Sequence, residues 1–307
     1  MNALGTIHMK GTQMNRALSF ASISLIVVLA TPAKAETNWS VVDTILTRTG
    51  AVSGQVHRYG LPRSDLNVSL DGVALKPGFA LGGWVAFEPM GDKAMMMGDL
   101  VLTESEVNPV MSALLDNGLE VTALHNHFFR DEPRMFYMHV HGHGKPAELA
   151  RKVKPALDLI GKAPSHAPAS APPAAVASTI DTARIAQIVG AQGEQTGAVF
   201  KITIGRDDLK LTEMGAPINA RMGLNTWAAF VGTNENAAIA GDVAMLAGEV
   251  TPVLKALRQN GLDVVAIHHH MTDTQPTIYF LHYWGTGPTD KLARGFKAAL
   301  DQLGKAR

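Results

Sequence analysis

Two stretches decide how this chain is read: NGLEVTALHNHFFRDEPRMFYMHVHGHG, from Asn117 to Gly144, and NGLDVVAIHHHMTDTQPTIYFLHYWGTG, from Asn260 to Gly287. They superpose without a gap at a constant offset of 143 positions. The same offset carries Trp84 to Gly161 onto Trp227 to Gly304. Upstream the match is weaker, with Gly50, Gly54, Asp65, Leu66 and Gly72 answering Gly193, Gly197, Asp208, Leu209 and Gly215. The chain is an internal duplication. Residues held in both copies mark what one unit needs, for structure or for chemistry.

Within each unit the apolar pattern alternates between strand and helix periods. In the first copy Val52 to Tyr59 and Leu66 to Leu70 have strand character, and Asp71-Gly72 is a hairpin turn signal before Val73 to Leu75. Trp84 to Phe87 and Ala94 to Leu102 follow as strands. Thr103 with Glu106 then forms a capping-box signature, and Val107, Val110, Met111, Leu114 and Leu115 recur at helical spacing until Asn117-Gly118. Leu119 to Phe129 and Arg134 to His141 complete the strands, and Pro146 to Ile160 is a second amphipathic helix. An initial β segment followed by β-β-α-β-β-α predicts the α+β class. Two homologous domains are expected, each a mainly antiparallel sheet with helices packed on one face.

Residues 1–35 have the pattern of a signal peptide. Lys10 and Arg16 precede an apolar run from Ala17 to Ala30, and Ala33-Lys34-Ala35 fits a small-x-small cleavage site. The run falls short of the roughly 20 residues of a transmembrane helix. A periplasmic or secreted product cleaved near Ala35 is expected, with no stable membrane insertion after cleavage. The first domain is placed at 38–162, a Pro/Ala-rich linker at 163–178 and the second domain at 179–305. Lys plus Arg and Asp plus Glu each number 27, so net charge offers no argument for a nucleic-acid partner. There is no cysteine, so any metal must be held by His, Asp, Glu or carbonyl oxygen.

The histidines carry the chemistry. On a strand, side chains two residues apart share a face, which places His125 and His127 roughly 6.5 Å apart. His139 and His141 share a face of the next strand, and a connecting turn centred near Glu132 puts His125 across from His139. His125, His127 and His139, with His141 beside them, are the metal-ligand candidates of the first copy. His268, His270 and His282 are those of the second. Neutral imidazole suits a divalent transition metal, zinc before the others, and two duplicated carboxylates are available as general base or fourth ligand: Asp99 with Asp242, and Glu106 with Glu249. Glu106 also has its capping-box task, and Asp99 after Gly98 also suits a turn or bulge.

Differences between copies sort the remaining signals. His141 and His143 are replaced by Trp284 and Thr286, so the first copy is the richer site and the second has the character of a degenerate or structural copy. His269 is extra but is expected to face away from its neighbours. Met95-Met96-Met97 becomes Ala238-Ile239-Ala240, which favours core filling over copper ligation. Arg63 and Arg206, beside Asp65 and Asp208, suit local ion pairs.

Taken together, Gly98-Asp99-Leu100-Val101-Leu102, Glu106-Val107, Asn117-Gly118, His125-Asn126-His127, Pro133-Arg134 and His139-x-His141-Gly142 resemble the LppY/LpqO family of bacterial exported domains, in two tandem copies. The resemblance implies an exported envelope protein and supplies no reaction, substrate or cofactor. Some members look like lipoproteins, but this chain lacks a cysteine to acylate. Two functions follow from the residues: a metal-binding protein, in its enzymatic form a metal-dependent hydrolase, or a non-catalytic binding module for an anionic small molecule or cell-wall fragment.

Overall fold

Helix, sheet, sheet, helix is the layer order of the folded chain. In the computed structural model, which describes residues 37–162 and 178–305 together with Met1, the first repeat begins with a helix, α1 (Trp39–Leu46). Strands β1 (Ala51–Ser53), β2 (Val56–Pro62), β3 (Val68–Leu70) and β4 (Val73–Leu75) follow. After a single π-helical turn at Pro77–Leu81 come β5 (Gly82–Met90), β6 (Lys93–Thr103), α2 (Glu104–Asp116), β7 (Glu120–His125), β8 (Met135–Gly144) and α3 (Pro146–Leu157). The second repeat runs through α4 (Thr182–Val189), β9 (Gly193–Thr196), β10 (Val199–Gly205), β11 (Thr212–Glu213), β12 (Ala216–Pro217), β13 (Asn225–Gly232), β14 (Ala237–Leu246), α5 (Ala247–Gln259), β15 (Asp263–His268), β16 (Ile278–Gly287) and α6 (Thr289–Leu300). Apart from Met1 and Ser178, the leader expected at 1–35 and the linker expected at 163–178 lie outside the described residues.

Each repeat is α+β, with a six-stranded sheet whose neighbouring strands all pair antiparallel. The order is β1-β2-β5-β6-β8-β7 in the first and β9-β10-β13-β14-β16-β15 in the second. Asp71 and Gly72, both at positive φ, make the tight turn between β3 and β4. The N-terminal helices α1 and α4 are absent from the predicted order. Their signal is short: Val42 and Leu46, or Ile185 and Val189, are the buried faces that dock against the last helix of the same repeat.

Side-chain alternation along β6 explains why that strand is apolar almost throughout. Ala94, Met96, Leu100 and Leu102 point to the helices, joining Val110 and Leu114 of α2 and Leu149 and Val153 of α3. Met95, Met97 and Val101 point the other way, into cores built by both repeats. The methionine run therefore fills two cores. Gly98 belongs to the helix-facing set, where a Cβ would stand 2.8 Å from Val140 Cγ1 and 2.9 Å from Val85 Cγ1. Its counterpart Gly241 would collide with the Tyr283 hydroxyl and the Trp227 carbonyl. Asp99 and Asp242, the next residues, consequently face the opposite sheet.

That second sheet face is where the repeats meet. One inter-sheet core joins Phe79, Val101, Phe128 and Tyr137 to Val199, Ala229, Ala240 and Trp284. The other joins Trp84, Met95 and Met97 to Leu211, Met222, Ala244 and Phe280. Each repeat sends an excursion across its partner. The Trp284 indole donates to Asp71 Oδ2 at 3.2 Å, and Asn219 Nδ2 donates to Glu88 Oε2 at 3.1 Å.

A buried ion pair fastens helices to sheet inside each repeat. Arg63, at the end of β2, donates to Glu106 Oε2 at 2.7 Å and to Oε1 at 3.1 Å, to Asp65, and to the Val101 carbonyl at 2.7 Å. Glu106 also accepts from Thr103 N at 2.8 Å and Gly161 N at 2.6 Å. Arg206 and Glu249 reproduce the network, with Leu246 N and Gly304 N in the corresponding places. Removing Glu106 takes the deeper of Arg63's two carboxylate partners and leaves Thr103 N and Gly161 N without that acceptor, a loss of about 3–5 kcal/mol on the scale of a broken buried ion pair. Glu106→Ala is therefore expected to lower stability by about that amount in urea unfolding. An unchanged midpoint would show that the pair does not hold the helices down.

Candidate metal centre

Between the two apolar inter-sheet cores lies a polar centre of six imidazoles, three from each repeat. β7 ends at His125, shorter than the predicted strand to Phe129, and carries an irregularity between Val121 and Ala123. His139 consequently lies opposite Ala123, while His125 lies opposite Tyr137. The expected register is displaced by two residues. Because a two-residue step preserves the side-chain face, His125 and His139 remain on the same side of the sheet.

His127 lies beyond the strand end, its ring stacked on Tyr137 with centroids 3.3 Å apart. His270 stacks on Phe280 at 3.4 Å in the same way. His282 Nδ1 lies 3.2 Å from the Gly241 carbonyl oxygen.

Convergence occurs across the repeats. His125 Nε2 and His282 Nε2 are 3.2 Å apart, and with His268 they form a triad whose candidate ligand atoms all lie within 4.8 Å of one another. His139, His268 and His270 form a second triad on the same criterion. His127 joins through His282, at a centroid distance of 3.6 Å. Neither triad is the within-copy set His125, His127 and His139 expected from the repeat. The reason is topological: the inward faces of the two sheets oppose one another, so the nearest imidazole to each histidine is often the other copy's.

Several imidazole nitrogens in this centre are buried without a hydrogen-bond partner among the described residues. They include His125 Nδ1, His139 Nε2, His270 Nδ1 and both nitrogens of His127 and His268. Burial, followed by the fields of neighbouring imidazoles, holds all six rings well below the ordinary histidine pKa, to about 3 at His139 and about 2 at His268. The rings are neutral at pH 7, with lone pairs available. Two ligands about 2.05 Å from a tetrahedral ion stand roughly 3.3 Å apart, close to the His125–His282 separation. The donor set fits a divalent transition metal.

The carboxylates separate into two roles. Asp99 pairs across the ladder with His139 and with Trp84, and its Oδ1 is buried without a partner. Burial raises its pKa to about 7 against the opposing pull of Arg58 and Lys201. Asp242 is also raised well above the ordinary carboxylate range, by burial and then by Asp99; its Oδ2 lies 3.5 Å from His270 Nε2 and its Oδ1 accepts from Leu281 N at 3.1 Å. Glu106 and Glu249 are elsewhere, with their oxygens saturated by the arginine networks, so the expected Glu106 base is a structural residue.

His141 also departs from the expected ligand set. Its ring is fully buried with Nδ1 3.3 Å from Glu213 Oε1 of the other repeat, and it belongs to neither triad. The corresponding Trp284 likewise meets an excursion of the other copy.

Sequence reasoning missed a further pair. Arg58 and Lys201 occupy equivalent positions in the two copies, each stacked over the equivalent tryptophan: Arg58 lies 3.8 Å from the Trp84 centroid and Lys201 Nζ 4.0 Å from that of Trp227. Their shared offset of 143 was the available signal, hidden because arginine and lysine are not identical. With His127, His270, Asp99 and Asp242 they line a cleft of about 560 Å³ between the repeats.

The chain belongs to the family described as Domain of Unknown Function (DUF1259), whose model matches twice, at residues 40–159 and 183–302. No curated protein matches it. Among solved structures it is similar to the trimeric bacterial microcompartment shell protein PduB, at 13% identity and a TM-score of 0.20, covering 83% of this chain and 90% of that one. A double ringed trimeric shell protein from the RMM microcompartment matches at 12% identity and a TM-score of 0.18, covering 72% of this chain and 87% of that one. Similarity at this level carries no argument about function.

The buried imidazoles set a pH response for metal-free protein. Their folded pKa values lie below the unfolded value of about 6.5, so their stabilising contribution is complete above that pH and is lost as pH falls toward the folded values. Asp99 and Asp242 act in the opposite sense, contributing most below the ordinary carboxylate range and losing that contribution as pH rises through their folded values, about 7 for Asp99. Six rings outweigh two carboxylates. Chelator-treated protein is expected to show a lower urea midpoint at pH 5 than at pH 7; an equal or higher midpoint at pH 5 would contradict neutral buried rings.

Proposed function

We propose that the two repeats together form one composite centre for divalent transition-metal ions, with His125, His268 and His282 on one side and His139, His268 and His270 on the other. The observation that carries this reading is the set of buried, unpartnered imidazole nitrogens brought together from both copies. An uncompensated buried polar atom costs about 1–3 kcal/mol, so a cluster of them is expensive unless something coordinates them. Zinc is the first ion to test, since imidazole nitrogen and carboxylate oxygen suit it and cysteine is absent from the chain.

In its enzymatic form the protein is a metal-dependent hydrolase, in which the bound ion would supply a polarised, more acidic water. Asp99 is the residue suited to take a proton there. It faces the cleft and leaves Oδ1 unpartnered. Export to the cell envelope belongs to the same proposal and rests on the charged, apolar and small-residue pattern of residues 1–35, together with the resemblance to LppY/LpqO proteins. Among the described residues no helix is long and apolar enough to cross a membrane.

Elemental analysis of the purified, untagged protein tests the composite centre. His268→Ala is expected to remove nearly all bound metal, because His268 serves both triads, while His141→Ala leaves the content unchanged. Retention of half the metal by His268→Ala would favour separate sites within each repeat. Metal-free wild-type protein that zinc, copper, nickel and manganese all fail to load would overturn the proposal.

A further inference from the structure

The cleft above the imidazoles carries its own chemical instruction. Its walls are related by the duplication: Arg58 on Trp84 from one repeat, Lys201 on Trp227 from the other, with Asp99 and Asp242 toward the centre. Arg58 is partly committed, since one guanidinium nitrogen donates to the Arg221 carbonyl at 2.7 Å. Lys201 Nζ makes no hydrogen bond or ion pair among the described residues. Neither cation forms an ion pair with either aspartate. Stacking on an aromatic face orients a cation while leaving its N–H donors pointing away from the ring. The cleft, about 560 Å³, is in the size range of small-molecule sites and opens on the imidazole floor.

The charge balance says what this clamp takes. Arg58 and Lys201 share the cleft with two aspartates but form an ion pair with neither, so both keep donors open to an arriving anion. Divalent ions held at the centre would add positive charge beneath the two wall cations. We infer that the cleft binds a small organic oxyanion, a carboxylate or a phosphate, clamped between Arg58 and Lys201 with the rest of the molecule directed at the imidazole floor. The inference deepens the metal-centre reading and rests on it for the added positive charge at the floor of the cleft.

Arginine and lysine divide the task. Guanidinium presents a planar fork suited to two oxygens of one anion, and ammonium is a compact point charge that reaches a third oxygen or a second anionic group. Burial, reinforced by the nearby Arg58 charge, lowers the Lys201 pKa to about 8. An arriving anion would relieve that repulsion. Trp84 and Trp227 then act as positioning residues: they hold the cations and do not themselves meet the oxyanion.

The test is isothermal titration of the full chain with inorganic phosphate and, separately, with succinate, in chelator-treated and zinc-loaded protein, with metal content measured on the same samples. Saturable binding of one probe in preference to the other identifies the head group. Binding of that probe is expected to be roughly tenfold or more weaker in Arg58→Met/Lys201→Met, the scale of losing a charge-assisted contact. Arg58→Lys/Lys201→Arg, which keeps both charges, should retain most of the affinity. Near-ultraviolet circular dichroism confirms that both variants are folded; if the Met pair is not, Lys201→Met alone is compared with wild type. Zinc loading should tighten binding. Zinc-loaded wild type that binds neither probe, or binds it as tightly as the Met variant, would overturn the clamp while leaving the metal centre standing. If no metal loads, the metal centre fails by itself. The chelated protein then decides the clamp: saturable binding lost in the Met variant sustains it, and absence of binding removes it.

Discussion

The inward faces of the two sheets must cover one another, and most of the chemistry in this molecule follows from that constraint. A single repeat buries one face of its sheet under its own helices and leaves the other lined by Met95, Met97, Val101 and Tyr137, or by Ala240, Ala244, Phe280 and Trp284. Pairing the repeats removes both faces from water. Two apolar cores form, and a polar strip remains between them. The apolar cores flank the strip on two sides, so the imidazoles lose much of the solvation that would support protonation. Neutral rings with free lone pairs are thus a product of packing.

The same constraint explains the division among the duplicated acids. Glu106 and Glu249 are among the most buried carboxylates in the chain, yet each has an arginine and two backbone donors, and every oxygen is used. Asp99 and Asp242 sit on the sheet's other side, where the available neighbours are imidazoles and each other's field. One pair of acids is spent on structure. The other remains chemically open because its partners are weak or shared.

Much of this order is legible in the chain, up to a definite point. The strand pattern, the α2 stop at Asn117-Gly118 and the Asp71-Gly72 turn follow from local periodicity and turn chemistry, while His125 and His139 keep a common face because the register differs from the expected one by an even step. The continuous burial of Ala94 to Met97 already requires cover on both faces of β6. What periodicity lacks is the identity of the cover. A shared strand face groups His141 with His139 in the sequence, whereas Glu213 from the other repeat meets His141 in the fold. Glu106 shows a related blindness: the Thr103 capping signature is visible, but Arg63 lies far away in sequence. Leu246 in place of Thr103 was the clue, since the glutamate persists where the capping hydroxyl has gone.

Comparison of the copies must therefore be read through their contact. Loss of His141 and His143 makes the second repeat resemble a fading copy when each unit is judged separately. Once the sheets are opposed, His268 belongs to both triads, and His270 and His282 each complete one. Only one first-repeat imidazole enters each triad. The second repeat supplies more of these candidate ligands than the first, and its Trp284 uses the His141 position to anchor the Asp71 turn. Divergence at that position serves the packing that brings the histidines together. Two identical units would permit a symmetric centre, whereas the unequal triads create distinct positions facing one cleft, each with a different complement of imidazoles. With the triads drawn from both repeats, a residue lost from one copy is no measure of that copy's decay.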